Sequence, residues 1–247
     1  MKFKNKIFSF FSFLSAIFIT TGSCASKKQT ENGGNTPMVL FHTPASVTQT
    51  PHPPTEPPSP TAAPTPEAHD FVRIIDYVPE AFIDLKYATT ENFTGQIIYD
   101  FTEAYARYGT VAKLAQAQKL LSEKGYRIKI WDAYRPVAAQ RKLWEICPDG
   151  NFVSNPNIGY SNHTRGCALD LTLVDPAGNE IEMPTPFDNF TPEADRDYSD
   201  VGKTAAENAR MLEDIMQSCG FQGYYNEWWH FNDTVKYEPE LEFQPPE

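Results

Sequence analysis

Cysteines, basic side chains and long apolar runs are all scarce in this sequence, and each shortage excludes a class of protein. Four cysteines in 247 residues are too few for a fold built on disulfides. The 21 basic side chains are outnumbered by 32 acidic ones, and the net charge of −11 argues against nucleic acid as the main partner. Only one apolar run could enter a bilayer, which excludes a membrane protein with several spans. The length suits one sizeable domain with extensions.

The N-terminus has the pattern of an export signal. Three lysines precede an apolar run over residues 7–19, and small residues follow it up to Cys24. The small residues ending in Cys24 resemble the lipobox of bacterial lipoproteins, which implies a signal over 1–24 and lipidation of Cys24. An uncleaved anchor or an ordinary signal is the alternative. Each of these places the rest of the chain outside the cytoplasmic membrane, so we expect an extracytoplasmic, membrane-anchored protein.

Residues 25–68 are dominated by proline, threonine and serine. Ten of the 21 prolines fall in this segment, and large apolar side chains are few. Such a composition cannot bury enough surface to offset the entropy of ordering, so the segment is predicted to be a disordered tether. A proline-rich ligand for a partner is the alternative. The folded domain is then expected over residues 69–247.

The folded part is predicted to be a single α+β domain. Runs of helix and strand in mixed order favour this class, with a small antiparallel or mixed central sheet flanked by helices. Leucines alternate with polar residues over 168–174, which puts Asp170 on the strand face opposite the leucines. The pattern predicts helices at 103–124, 136–146 and 201–219, and strands at 126–133, 168–174 and 225–231.

His42, His52 and His69 lie in or at the edge of the tether, which leaves the folded domain two of the five histidines, His163 and His230. A catalytic zinc takes three protein ligands from histidine and carboxylate, so Asp170, near His163 in the sequence, is the natural third ligand. Glu227 precedes His230 by three residues and can lie beside the metal as a general base. Cys167 is an alternative ligand. The purely structural alternative is that His163 caps a loop and that His230 is a buried histidine with its hydrogen bonds satisfied.

Five segments in order, over residues 71–232, resemble the D-alanyl-D-alanine dipeptidases. The first zinc motif of that family resembles Ser-x-His-x-Arg-Gly-x-Ala-x-Asp at 161–170, and the second resembles Glu-Trp-Trp-His at 227–230. The other three are Lys-Tyr-Ala-Thr with Asn-Phe-Thr-Gly at 86–95, Trp-Asp-Ala-Tyr-Arg-Pro at 131–136 and Met-Pro-Thr-Pro-Phe-Asp at 183–188.

The resemblance implies a role for each matching residue. One zinc ion per domain, in a cleft at the sheet, would be held by His163, Asp170 and His230. Glu227 would be the general base, and Arg135 would stabilise the charged intermediate. The positions that would line the dipeptide pocket are Tyr87, Ser161 and Asp188.

Some of these residues also have structural explanations. Arg135 could form a salt bridge with Asp132. Ser161 could cap the loop that follows it, and Tyr87 could belong to the core.

The expected function is hydrolysis of D-Ala-D-Ala outside the cytoplasmic membrane by a zinc dipeptidase. The partner would be this dipeptide or another peptide derived from peptidoglycan. One alternative is a D,D-carboxypeptidase that trims peptidoglycan stem peptides. The other is a lipoprotein that holds zinc and binds wall peptides without catalysis. The sequence does not predict the oligomeric state.

Two further features allow weaker predictions. The acidic stretch over 180–200, in which Arg196 is the only basic residue, is expected to be a solvated loop, with a calcium site as the alternative. Besides Cys24, the chain has Cys147, Cys167 and Cys219, which allow at most one disulfide and leave a free thiol.

Overall fold

The structure is a computed structural model, and it describes residues 65–246. Three helices and seven strands confirm the α+β class. In chain order they are β1 (Phe71–Arg73), β2 (Phe82–Ile83), β3 (Tyr105–Arg107), α1 (Tyr108–Ser122), β4 (Arg127–Asp132), α2 (Val137–Ile146), β5 (Ala168–Val174), α3 (Lys203–Ser218), β6 (Phe221–Tyr224) and β7 (Glu227–Asp233).

A five-stranded mixed sheet with the order β2-β4-β5-β7-β6 forms the centre of the fold. Strand β2 runs parallel to β4, and the other neighbouring strands are antiparallel. A separate antiparallel pair is formed by β1 and β3. Because β5 lies in the middle of the sheet, all seven of its residues are buried. Residues on β5 therefore have little freedom to move.

Two helices cover the sheet and contact each other. Helix α1 packs against β4 and helix α3 against β6. Apolar side chains at helical spacing explain this packing, because they form one buried stripe on each helix. The buried large side chains are Val111, Leu114 and Leu121 on α1, and Leu212, Ile215 and Met216 on α3.

The observed elements differ from the predicted ones in two places. The helix predicted at 103–124 begins only at Tyr108, because residues 105–107 pair with β1 as a strand. The strand predicted at 225–231 is present as β7 but begins two residues later, at Glu227, and the preceding strand β6, which pairs with β7 in a hairpin, was not predicted. The turn at Tyr225 and Asn226 contains no glycine or proline, so its only local turn signal is a single asparagine. The strand predicted at 168–174 is confirmed.

The predicted signal over 1–24, the lipidation site Cys24 and most of the tether lie outside the described residues. Within residues 65–246, no helix has the length and apolar character that crossing a membrane requires.

Candidate active site

Two neighbouring central strands and one loop bring three predicted metal ligands together. Asp170 on β5 lies directly opposite His230 on β7 in the antiparallel register. His163 comes from the loop just before β5. One ligand atom from each of the three residues lies within 4.8 Å of the other two. This spacing is compact enough for a single ion.

The hydrogen bonds of the two imidazoles orient their lone pairs toward one another. His163 Nδ1 lies 2.7 Å from the carbonyl oxygen of Ala133, and His230 Nε2 lies 3.0 Å from Asn232 Oδ1. Both partner oxygens accept a hydrogen bond from the imidazole. The Ala133 oxygen is a carbonyl, and Asn232 Oδ1 is identified as the amide oxygen because it also accepts from Asn162 Nδ2 at 2.8 Å. In the neutral rings these outward nitrogens therefore carry the protons.

The inward nitrogens, His163 Nε2 and His230 Nδ1, then carry lone pairs and face each other at 3.3 Å. The Asp170 carboxylate completes the group, with oxygens 3.4 Å from His163 Nε2 and 2.9 Å from His230 Nδ1. Two unprotonated nitrogens and a carboxylate repel one another unless a cation lies between them. Two imidazoles with one carboxylate are a donor set typical of zinc, so the residues present fit that ion.

Neither alternative metal site is found among residues 65–246. The one cluster with metal-binding geometry there does not include Cys167, and no cluster arises in the acidic stretch over 180–200. Cys167 is buried, and burial raises the pKa of its thiol. Cys147, Cys167 and Cys219 are all free thiols.

Glu227 opens β7 and lies beside the three ligands without joining them. Its Oε2 is 3.8 Å from His230 Nδ1. Burial, with a smaller contribution from the nearby Asp170 and Asp188 carboxylates, raises the pKa of the Glu227 carboxyl to about 8. A carboxyl group with this pKa and place can exchange a proton with a molecule in the cavity.

The Arg135 guanidinium is fixed from two sides. Its Nε and Nη2 donate to Asp132 Oδ2 at 3.0 and 2.6 Å, and its Nη1 donates to Gln140 Oε1 at 3.0 Å. The guanidinium carbon also lies 5.1 Å from the centre of the Tyr87 ring. The salt bridge to Asp132 is therefore present. Together with the hydrogen bond to Gln140, it leaves one N–H group free on each of Nη1 and Nη2. Arg135 lines the cavity, so these donors are available there.

Asp188 also lines the cavity and is held by two donors. Tyr87 Oη donates to its Oδ1 at 3.3 Å, and the backbone N–H of Phe93 donates to its Oδ2 at 3.2 Å. Its backbone has a φ of 57°, a left-handed conformation that is rare outside glycine. Burial raises the pKa of the Asp188 carboxyl to about 8. An ammonium group would be a suitable partner for this buried carboxyl.

These groups surround one cavity of about 320 Å³. Ser161 lines it, and the Ser161 hydroxyl also accepts a hydrogen bond from the His163 N–H at 3.2 Å, which caps the loop. Tyr87 is not part of the lining. It is buried and contacts the cavity only through Asp188 and Arg135. The other lining side chains include Asn151, Phe152, Phe190, Tyr224 and Trp229.

Comparison with known proteins decides the family. The family model described as Peptidase_M15, D-ala-D-ala dipeptidase, matches residues 67–241. The chain belongs to this family. It is therefore a peptidase by family, as the motifs predicted.

Two curated members of the family illustrate the similarity. The D-alanyl-D-alanine dipeptidase of Escherichia coli K12 is 39% identical over 153 residues, which cover 62% of this chain and 79% of that protein. The D-alanyl-D-alanine dipeptidase of Streptomyces coelicolor is 34% identical over 190 residues, covering 69% and 93%. Among solved structures, a mutant of the vancomycin resistance D,D-pentapeptidase VanY in complex with Zn(II) gives 15% identity and a TM-score of 0.36, covering 56% of this chain and 76% of that chain.

Several residues that support the site were not predicted. Asn232 and the Ala133 carbonyl orient the two histidines, and Gln140 helps Asp132 to hold Arg135. Asn232 follows His230 by two residues in a strand, so it lies on the same strand face, and this spacing could have indicated it. A backbone carbonyl such as that of Ala133 has no signature in the sequence.

Proposed function

We propose that this protein hydrolyses the D-Ala-D-Ala dipeptide with one zinc ion held by His163, Asp170 and His230. The observation that carries the proposal is the pair of imidazole lone pairs facing a carboxylate, with Glu227 alongside in the same polar cavity. Membership of the family and the names of the relatives support D-Ala-D-Ala as the substrate.

A bound zinc ion would lower the pKa of a water molecule toward about 7 and polarise a carbonyl group. Glu227 takes the proton from the attacking water at its Oε2, which faces the ligands, and later gives a proton to the departing amine. It must be ionised for the first step. A cation beside Glu227 lowers the pKa of its carboxyl from the raised value produced by burial, because positive charge favours the ionised form.

Arg135 and Asp188 bind the charged parts of the reacting dipeptide. The two free N–H groups of the Arg135 guanidinium donate to the oxygen on which negative charge develops, and the Asp132 carboxylate keeps them in place. The Asp188 carboxylate accepts hydrogen bonds from the substrate ammonium. Burial favours the neutral form of the Asp188 carboxyl. The positive charge of the substrate ammonium would stabilise the ionised form of this carboxyl when the dipeptide binds.

We place this activity outside the cytoplasmic membrane, in a protein anchored by lipid on Cys24. The support is the N-terminal sequence, with its basic start, apolar run and lipobox-like end. The substrate would then be dipeptide released from the cell wall.

Release of free alanine, measured for both enantiomers, tests the function directly. The full chain, purified in detergent and loaded with zinc, is incubated with D-Ala-D-Ala, with L-Ala-L-Ala and with a pentapeptide ending in D-Ala-D-Ala. We expect release from D-Ala-D-Ala alone. Preferential release from the pentapeptide would assign a D,D-carboxypeptidase instead. If the protein retains zinc but releases alanine from none of the peptides, the remaining assignment is a protein that binds wall peptides without catalysis.

A further inference from the structure

Arg196 makes contacts that its acidic sequence surroundings did not predict. Its side chain is buried, and its guanidinium donates to backbone carbonyls of β6 and β7. The Nε–H donates to the oxygen of Tyr224 at 2.9 Å. The Nη2 group lies 3.3, 3.0 and 2.8 Å from the oxygens of Glu227, Trp228 and His230. One side chain thus binds the backbone at both of the residues proposed for catalysis and metal binding on β7.

An irregularity in the sheet explains why the carbonyls of Trp228 and His230 are available. Strands β6 and β7 pair Gly223 with Phe231 but Tyr224 with Glu227. Residues 228–230 therefore have no partner on β6, and their backbone groups need other hydrogen bonds. The Arg196 guanidinium, with its planar set of donors, supplies hydrogen bonds in this gap in place of a neighbouring strand.

The surroundings of Arg196 hold the guanidinium in one position. Its carbon lies 4.5 Å from the centre of the Phe231 ring, and Nη1 lies 3.3 Å from Glu213 Oε2. Tyr198, buried and with a φ of 56°, donates to the same Glu213 carboxylate. A Cβ atom on Gly223 would lie 2.2 Å from the guanidinium carbon. Only glycine at position 223 leaves room for this close approach.

We infer that Arg196 is a positioning residue for the active site. By binding the backbone across the gap in the β6–β7 pairing, it fixes the orientation in which β7 presents Glu227 to the substrate and His230 to the metal. Arg196 is not in the cavity lining, so it is placed to act through β7 and not on a bound molecule directly. The kinetic and metal-binding parts of this inference rest on the proposed function, whereas its backbone part does not.

The first test compares Arg196→Lys with Arg210→Lys in the full chain. Lysine keeps the charge but cannot bridge several carbonyls. Arg210 is a matched control, because it contacts Tyr198 and the carbonyl of Asp197 while donating nothing to β6 or β7 in the described part of the chain. We expect Arg196→Lys to weaken zinc binding, measured by competition with a chelator, by about 10- to 100-fold, as typical for residues that orient metal ligands.

At saturating zinc, Arg196→Lys is expected to lower kcat for D-Ala-D-Ala by about the same factor with little change in KM. Hydrogen–deuterium exchange of the metal-free protein should be faster over residues 224–233 and unchanged over 108–122. Arg210→Lys should behave as the unaltered protein in all three measurements.

The second test moves the guanidinium without removing its charge. Gly223→Ala should reproduce the loss of zinc affinity, because the added methyl group occupies the place of the guanidinium carbon. In an Arg196→Ala background, where that clash is gone, Gly223→Ala should have no further effect. If Gly223→Ala acts only through Arg196, its effect disappears in the Arg196→Ala background. If it acts through a general loss of stability, the effects of Gly223→Ala and Arg196→Ala add.

Unchanged zinc affinity and exchange in Arg196→Lys, equal losses in Arg210→Lys, or additive effects of the Gly223 and Arg196 changes would each overturn the inference. If the unaltered protein binds zinc but releases no D-alanine, the proposed function fails while zinc affinity and exchange still test Arg196. If it binds no zinc, hydrogen–deuterium exchange over residues 224–233, measured on Arg196→Lys, Gly223→Ala and the double variant, still decides.

Discussion

At the scale of single residues, the site depends on which nitrogen of each histidine carries a proton. His163 presents Nε2 and His230 presents Nδ1, because their other nitrogens donate to Ala133 and Asn232. The sequence alone predicts two histidine ligands but not which nitrogen each would use. That choice follows from a backbone carbonyl and an amide placed by the folded sheet.

Glu227→Gln separates proton transfer from metal binding. Glutamine preserves the shape of the side chain but cannot accept a proton, so activity should fall by about 10²- to 10⁴-fold. Zinc content should stay that of the unaltered protein, because Glu227 is not among the three ligands. Metal analysis and D-alanine release on the same sample check both parts. Turnover that survives the change would exclude Glu227 as the base.

Asp188 should make the stability of the metal-free protein depend on pH. Burial raises the pKa of its carboxyl from 3.8 to about 8, so between these values the folded state holds a proton that the unfolded state has released. The free energy of unfolding must then decrease as pH rises from about 4 through about 8. Glu227 contributes in the same direction. Urea unfolding at several pH values should show a shallower decrease for Asp188→Asn, and an equal slope would contradict the raised pKa.

At the scale of elements, the loop before β5 determines whether His163 and Asp170 can meet. Gly166 lies in this loop with a φ of 72°, and a Cβ atom there would lie 2.5 Å from the Phe71 ring. The loop thus needs glycine for both its backbone conformation and its packing against β1.

Gly166→Ala should therefore destabilise the protein more than Gly125→Ala. Gly125 follows α1 with a φ of 85° and has no atom within 4 Å of an added Cβ, so its substitution costs only the left-handed backbone, about 1–2 kcal/mol. Gly166→Ala adds the clash with Phe71. Chemical denaturation of both variants measures the difference. Equal losses would mean that the ring moves aside without cost.

Much of the site and part of the fold could be predicted from the sequence. The alternating strand at 168–174 and the motif around it place Asp170 and His163 correctly, since both signals are local. The β6–β7 hairpin was missed, because its turn at Tyr225 and Asn226 lacks glycine and proline. The acidic composition around Arg196 predicts a solvated loop, because the contact of Arg196 with His230, 34 residues later, leaves no local pattern.

At the scale of the whole molecule, the cluster of His163, Asp170 and His230 should link metal binding to the stability of the fold. A ligand that binds only the folded state raises its stability with concentration. The melting temperature of the chelator-treated protein should therefore rise with added zinc, and His163→Ala should abolish this rise. Thermal unfolding followed by circular dichroism measures both proteins. A zinc-dependent rise that persists in His163→Ala would place the metal elsewhere.

The distribution of the ligands over the sheet also has a consequence for the order of events after synthesis. His163 and His230 are 67 positions apart, and Asp170 and His230 are 60 apart. Closing such long loops delays contacts of this kind during folding. The ion can be captured only after β5 and β7 have paired. For a chain that crosses the membrane unfolded, the metal supply of the outer compartment, and not that of the cytoplasm, would then determine which ion the enzyme acquires.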